Sequence, residues 1–428
     1  MALVGFTVPA NRVDHQRCAQ VFEAVDYLEV VPESLVEPRD LPVFAPNGYF
    51  RRVLDLQQRL GVPVVAHGTG LSVCSNHPLD GPRFGRWIER AAAMADRLDL
   101  QWYTDHAGVT APAGLNLTLP LDVPHSRAAQ NAARARLSAL AEAVGVPVGI
   151  ENSVYYAPMA DPKDEPRWLR TLLGEAHVLV LDVHNLWTHA VNFGIDIDDW
   201  LAEAPLDRVI EVHVSGGTLA DARWTNGAPW RLDSHDDAVP EPVWALLQRV
   251  IPRCPALRGV TLERLEGTIA EADVPGLLEE VDRIRSILLA APPPSRGPES
   301  VHPECSLPGN DDEGAVELRL ADAWSSRDPQ AALQQIADDP EAPGWVRQAV
   351  GFALAHPAGV GICRRLILRQ RFERLIHGSA EAERWFETDP ASFARAFIGY
   401  AAATPPVAYL PVDEAMLFER WVHQDAPG

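Results

Sequence analysis

At 428 residues, 47% hydrophobic and 22% charged, the chain is long enough for two folding units and too apolar for a disordered polymer. A formal net charge of −22 speaks against nucleic acid as a partner, because phosphate binding needs a basic surface. The five cysteines (Cys18, Cys74, Cys254, Cys305 and Cys363) form no CxxC pair, no signal peptide is evident, and no segment is apolar enough to span a bilayer. Together these features lead to the expectation of a cytoplasmic protein with no membrane partner.

Short apolar runs alternate with helical ones from the start. Strands are expected at 3–8, 26–31, 62–66, 100–104, 146–150, 178–182, 208–214 and 257–263. Most are continuous hydrophobic runs, the pattern of parallel strands buried on both faces. Helices are expected between them at 12–24, 49–60, 83–97, 125–143, 165–175, 240–252 and 274–290. Residues 125–143 carry the clearest signal, being rich in good helix formers with Gly145 just beyond. Eight strand–helix units in about 290 residues give the period of a (β/α)₈ barrel over 1–290. A doubly wound sheet would carry a glycine-rich phosphate turn, and neither GxGxxG nor GxxxxGK[ST] occurs. Residues 291–314, rich in Pro, Gly, Ser and acids, read as a linker. Residues 315–428 read as a smaller all-α domain, with helical stretches such as PQAALQQIA, GWVRQAVGFALA and DEAMLFERWVHQ.

In such a barrel the chemistry sits at the C-terminal ends of the strands. There the sequence places His67, His106 beside Asp105, Glu151-Asn152, Asp182 with His184 and Asn185, His213, Asp233 and His235 in the loop after the seventh strand, and Glu263. Any one of these has a structural explanation. Six consecutive strand ends converging on one mouth are harder to explain without a cation, because so many carboxylates would repel one another. With no thiolate in the set, mixed imidazole and carboxylate ligation suits Fe, Mn, Zn or Co, and the eight candidates His67, His106, Glu151, Asp182, His213, Asp233, His235 and Glu263 exceed what one ion needs.

The stretches VDYLEVVPES (25–34), AHGTGLS (66–72), YTDHAG (103–108), GIENS (149–153), LVLDVHN (179–185), AVNFGID (190–196), EVHVSGG (211–217), LDSH (232–235) and TLERLEG (261–267) resemble, in order, the multinuclear non-heme iron-dependent oxidase family (MbnB/TglH-like). The resemblance implies two or three iron ions, O₂ as co-substrate, and oxidation of a ribosomally made precursor peptide, often at a cysteine. It implies that the eight candidates are iron ligands, with His67, His106, Glu151, Asp182 and His213 at the reacting centre. Glu151 would bridge, and Asn152, His184 and Asn185 would lie in or beside the ligand shell. Pro32, Ser34, His184 and Phe193 depart from the family pattern, leaving the iron count and the peptide open.

Relatives of this kind usually act with a small partner protein, a role that 315–428 could supply. Within that segment, Arg364, Arg365, Arg369, Arg371 and Arg374 form a basic stretch that either binds an acidic leader peptide or is a solvated helix face. Trp385, Phe393, Phe397, Tyr400, Tyr409, Phe418 and Trp421 read as core, and the loop 216–231 as a cover for the mouth or a plain surface loop. Two other readings stay open. One is a redox-neutral metal enzyme of the sugar-isomerase or endonuclease kind, although the one barrel lysine, Lys163, lies in a Pro/Asp-rich loop. The other is a non-catalytic metal-binding scaffold.

Overall fold

A computed structural model describes residues 2–35, 45–225, 227–294, 307–309 and 314–424. Eight strands, β1 (Leu3–Thr7), β2 (Tyr27–Val30), β3 (Val64–Gly68), β4 (Leu100–His106), β5 (Val148–Glu151), β6 (Val178–Asp182), β7 (Val209–Val214) and β8 (Gly259–Leu262), close into a barrel in chain order. All neighbours are parallel, and β1 closes on β8 through Leu3–Gly259 and Phe6–Leu262. Apart from Leu3 and Val178 at strand starts, the aliphatic side chains of these strands are buried on both faces, between the barrel interior and a ring of helices. Gly149 permits close approach at β5–β6, since a Cβ there would collide with the carbonyl of Val178.

The expected strands and helices recur with small shifts, and the differences have local causes. The run 12–24 is two helices, Arg12–Arg17 and Ala19–Ala24, joined at Cys18. A helix not expected from the sequence, Val183–Phe193, begins directly at the end of β6. Asp182 ends the strand and caps this helix, its carboxylate accepting the backbone N–H of Asn185 at 2.7 Å. The expected linker falls largely outside the described residues, as does Cys305.

Among the described residues seven helices follow, from Gly314–Ser325 to Pro411–Gln424, including Ala380–Thr388, which the sequence did not announce. The first of them share the barrel's hydrophobic cluster, through Trp324, Leu333, Val350 and Ile367. The last build a second cluster around Phe393, Phe397, Tyr400, Phe418 and Trp421, as expected. Trp385 packs partly buried against it. Glu317 docks the first of these helices, accepting hydrogen bonds from Ser75 Oγ, the Asn76 and His77 N–H groups, and the Ala113 N–H.

The basic stretch is not a free surface. Arg371 and Arg374 turn inward onto the buried Glu414, at 2.8 and 3.4 Å, where Tyr400 also donates to it at 2.7 Å. Arg369 pairs with Glu373, Arg364 donates to the Ser326 carbonyl, and Arg365 lies over the Trp224 ring. No helix among the described residues is long and apolar enough to cross a membrane.

Candidate metal centre

The strand ends deliver their polar side chains to one place. Four groups of donors, each with its ligand atoms within 4.8 Å of one another, form from ten residues: Glu29, His67 and His213; His67, His106 and Glu151; Glu151, Asp182, His213 and Glu263; and His184, Asp233 and His235. Membership overlaps. Glu151 Oε2 stands 3.0 Å from His67 Nε2 and 3.1 Å from His106 Nε2, while its Oε1 is 3.6 Å from His213 Nδ1. Glu263 lies 3.3 Å from His213 and 3.8 Å from His235, joining the inner groups to the outer one. His235 and His184 approach Asp233 at 2.6 and 3.4 Å. All eight expected ligands therefore come together.

His184, expected at the edge, is one of the donors of the outer group. Asn152 and Asn185 stand beside these groups and brace them, and Asn185 Oδ1 is itself buried without a hydrogen-bond partner. Asn152 clamps the backbone of Asp182, receiving its N–H at 2.8 Å and donating to its carbonyl at 2.9 Å. Asn185 donates to the Asn152 carbonyl and to Glu151 Oε1. Glu29, in the middle of β2, was not read from the sequence. It lies 3.0 Å from His213 Nε2 with 1% exposure. The available signal was a single acid inside a short strand whose neighbours are all apolar.

The unpaired atoms point toward cations. Among buried side-chain atoms without a hydrogen-bond partner are Glu29 Oε2, His67 Nε2, Glu151 Oε2, Asp182 Oδ2, both nitrogens of His184 and of His213, Asp233 Oδ1, His235 Nε2 and Glu263 Oε2. Buried polar atoms are almost always satisfied, so a cluster of orphans of this kind marks a missing partner. The far sides of two imidazoles are fixed. His67 Nδ1 meets Thr104 Oγ1 at 2.9 Å, and His106 Nδ1 meets the Gly68 carbonyl at 2.9 Å, directing each Nε2 inward.

The electrostatics show the same frustration. Burial and then the neighbouring Glu151, Asp233 and Glu263 carboxylates hold Asp182 well above the ordinary carboxylate range. Burial opposes ionisation of Glu151 too, but the His106 and His67 rings override it and hold it low. Burial alone would depress His67, yet the Glu151 carboxylate lifts it to about 9. Without metal, protons fill in for part of the missing positive charge. The residues thus fit a multinuclear site for borderline divalent metals, with nitrogen and oxygen donors shared between groups.

Beneath the centre, Tyr27 and Trp102 plug the barrel and both donate to Glu211, at 2.7 and 2.6 Å. Above it, the loop 216–231 is pinned rather than free: Leu219 bridges to Arg231, and Ala220 N–H donates to the Trp230 carbonyl. Asn226, part of that loop, lies outside the described residues. Lys163 is exposed, outside the donor groups.

The family of the RiPP precursor modification enzymes MbnB/TglH/ChrH matches residues 10–289. The chain belongs to this family. Relatives include a UPF0276 protein of Rhizorhabdus wittichii, 29% identical over 263 residues, which cover 61% of this chain and 85% of the relative. A UPF0276 protein of Pseudomonas aeruginosa is 28% identical over 267 residues, covering 61% and 84%. Among solved structures, an L-ribulose 3-epimerase superposes with a TM-score of 0.41 at 13% identity, covering 67% of this chain and 93% of its own. A D-tagatose 3-epimerase-like protein does so with 0.43 at 15%, covering 67% and 98%. The family match stops at the end of the barrel, so the C-terminal helices lie outside it.

Proposed function

We propose that this protein is an iron-dependent, O₂-using oxidase that modifies a ribosomally made precursor peptide at a cysteine. The observation that carries the proposal is the set of overlapping donor groups with orphaned inward atoms, on a chain of the peptide-modifying family. The inner groups, which share Glu151, would hold two ions, and the His184, Asp233 and His235 group would offer a third position. Bound ferrous iron supplies the redox chemistry with O₂. The chain's own part is to hold these donors, orient them and keep them dry. Thr104 and the Gly68 carbonyl orient His67 and His106, and Asn152 with Asn185 fixes Asp182 and Glu151. His67, Glu151, Asp182 and His213 are buried, which keeps these inner donors from bulk water. A cysteine thiolate would be a suitable further ligand for iron. The substrate would be met in the cytoplasm, with residues 315–428 taking the part of the small partner protein and with no nucleic acid involved.

The test is anaerobic purification, reconstitution with ferrous iron, metal counting, and incubation with cysteine-containing peptides encoded beside the gene. Two or three irons per chain and a peptide mass change requiring both iron and O₂ support the reading. One Zn, Mn or Mg ion that iron does not replace, or turnover without O₂, defeats it.

A further inference from the structure

A cavity of ≈ 560 Å³ opens between the barrel mouth and the C-terminal helices, outside the donor groups. Its walls come from several elements, among them the loop after β4 with Thr110, Asn116 and Thr118. The helix Gly81–Leu98 contributes Arg83, Arg86 and Arg90, the loop after β3 contributes Thr69 and Gly70, and the C-terminal segment contributes Gln370 and Tyr409. The walls are stitched together, since Asn116 takes the Pro406 carbonyl through its N–H and the Ala408 carbonyl through Nδ2 at 2.8 Å. Tyr409 OH donates to the Leu115 carbonyl, and Arg374 reaches Thr118.

The three arginines are not equivalent. Arg83 is consumed by the Asp80 carboxylate and by the Gly70 and Leu71 carbonyls. Arg86 and Arg90, one helical turn apart, have no ion pair or hydrogen bond among the described residues. Partial burial and then the charge of Arg86 beside it pull Arg90 below its ordinary value. Among the described residues the one carboxyl in the wall is Glu33, one oxygen of which is tied to the Thr69 and Gly70 N–H groups. On a chain of net charge −22, two guanidinium groups facing one cavity with no carboxylate partner among the described residues select for carboxylates or another anion. Leu79, Trp87, Val407 and Leu410 supply apolar wall between them, which suits side chains of a peptide better than a bare ion. Thr69 and Gly70 follow the ligand His67 in the chain, so a segment held here has its continuation beside the metal centre.

We infer that this cavity binds an acidic segment of the peptide substrate, with Arg86 and Arg90 receiving its carboxylates; the inference rests on the peptide-modifying reading above. Of the two readings the sequence left open for 364–374, a leader-binding stretch or a solvated helix face, neither describes Arg371 and Arg374, which are spent on Glu414.

The probe is fluorescein-labelled hexaglutamate, titrated by anisotropy into the iron-loaded full chain under nitrogen. Saturable binding that weakens with salt is expected, with a loss of about tenfold or more in R86Q/R90Q and none in R59Q, whose arginine pairs with Glu23 elsewhere. Charge-reversed R86E/R90E, checked for unchanged thermal unfolding, should lose hexaglutamate and gain hexalysine. Equal binding by wild type and R86Q/R90Q overturns the inference, as does displacement by inorganic pyrophosphate at far lower concentration than by free hexaglutamate. Iron counts separate the two readings. A chain that loads iron but ignores hexaglutamate sinks this inference alone, and Arg-dependent binding by a chain that takes no iron sinks the oxidase alone.

Discussion

Glu151 is the residue on which the metal centre turns. Its Oε2 sits 3.0 and 3.1 Å from the nitrogens of His67 and His106, and its Oε1 faces His213 and accepts from Asn185. Glu151→Gln keeps the volume and one acceptor while removing the charge that two donor groups share. Changing a residue that only orients a ligand costs metal affinity ~10–100-fold. Losing an ionised donor should therefore cost at least ~100-fold at each of two ions, or ~2.8 kcal/mol per ion at ~1.4 kcal/mol per decade. After gel filtration at micromolar protein, mass-spectrometric counting should show at least one iron fewer per chain than wild type. Glu165→Gln is the control, because Glu165 is equally buried but holds His189 and Trp200 outside the donor groups. If E151Q kept the wild-type iron count, or E165Q lost as much, the reading of Glu151 as a shared ligand would be wrong.

The pH dependence follows from His67. The Glu151 carboxylate outweighs burial and raises it from 6.5 to about 9, so in the metal-free chain its charged form stabilises the fold fully below pH 6.5 and that contribution is lost as pH rises toward 9. Metal needs the neutral ring, so iron binding expels a proton across the same window and affinity climbs with pH. Anaerobic calorimetry in buffers of unlike ionisation heat should show this release at pH 7.5, and an absence of released protons counts against it. On the docking side, Glu317→Ala leaves three loop N–H groups and the Ser75 hydroxyl without their acceptor, which should destabilise the chain by about 3 kcal/mol in urea unfolding. An unchanged urea midpoint would show that the contact is dispensable.

What could be read from the sequence was whatever chain order and barrel geometry dictate together. Parallel strands that are apolar on both faces announce themselves, and the C-terminal ends of such strands must converge, so His67, His106, Glu151, Asp182, His213 and Glu263 could be placed before any contact was known. Glu29 escaped because it sits in mid-strand, where an inward side chain reaches the same centre from one layer below. The helix Val183–Phe193 escaped because Asp182 serves both as strand terminus and as cap, with no turn residue between the elements. Arg371 and Arg374 were misplaced for a different reason. A helix packed on both sides has no consistent polar face, and the acid that draws them inward, Glu414, is distant in sequence and lies on another helix.

The same distance effect ties the helical region to the metal centre. The helix Pro357–Gly378 comes so close to the barrel at Gly359 that any Cβ would collide with the Tyr156 carbonyl. The hydroxyl of that tyrosine accepts the backbone N–H of Asp233 at 2.9 Å, and Asp233 is the carboxylate shared by His184 and His235. His356, at the head of the helix, packs edge-on against Phe193, the last residue of the helix that Asp182 caps. Two of the contacts that seat the C-terminal helix therefore touch elements carrying donors of the outer and inner groups. The inner donors come from the ends of barrel strands, whose positions the closed sheet already sets. The outer group comes from a loop and a helix start, which a barrel alone leaves less constrained. It is this group that the C-terminal helices brace, from a part of the chain beyond the family match, which ends at residue 289.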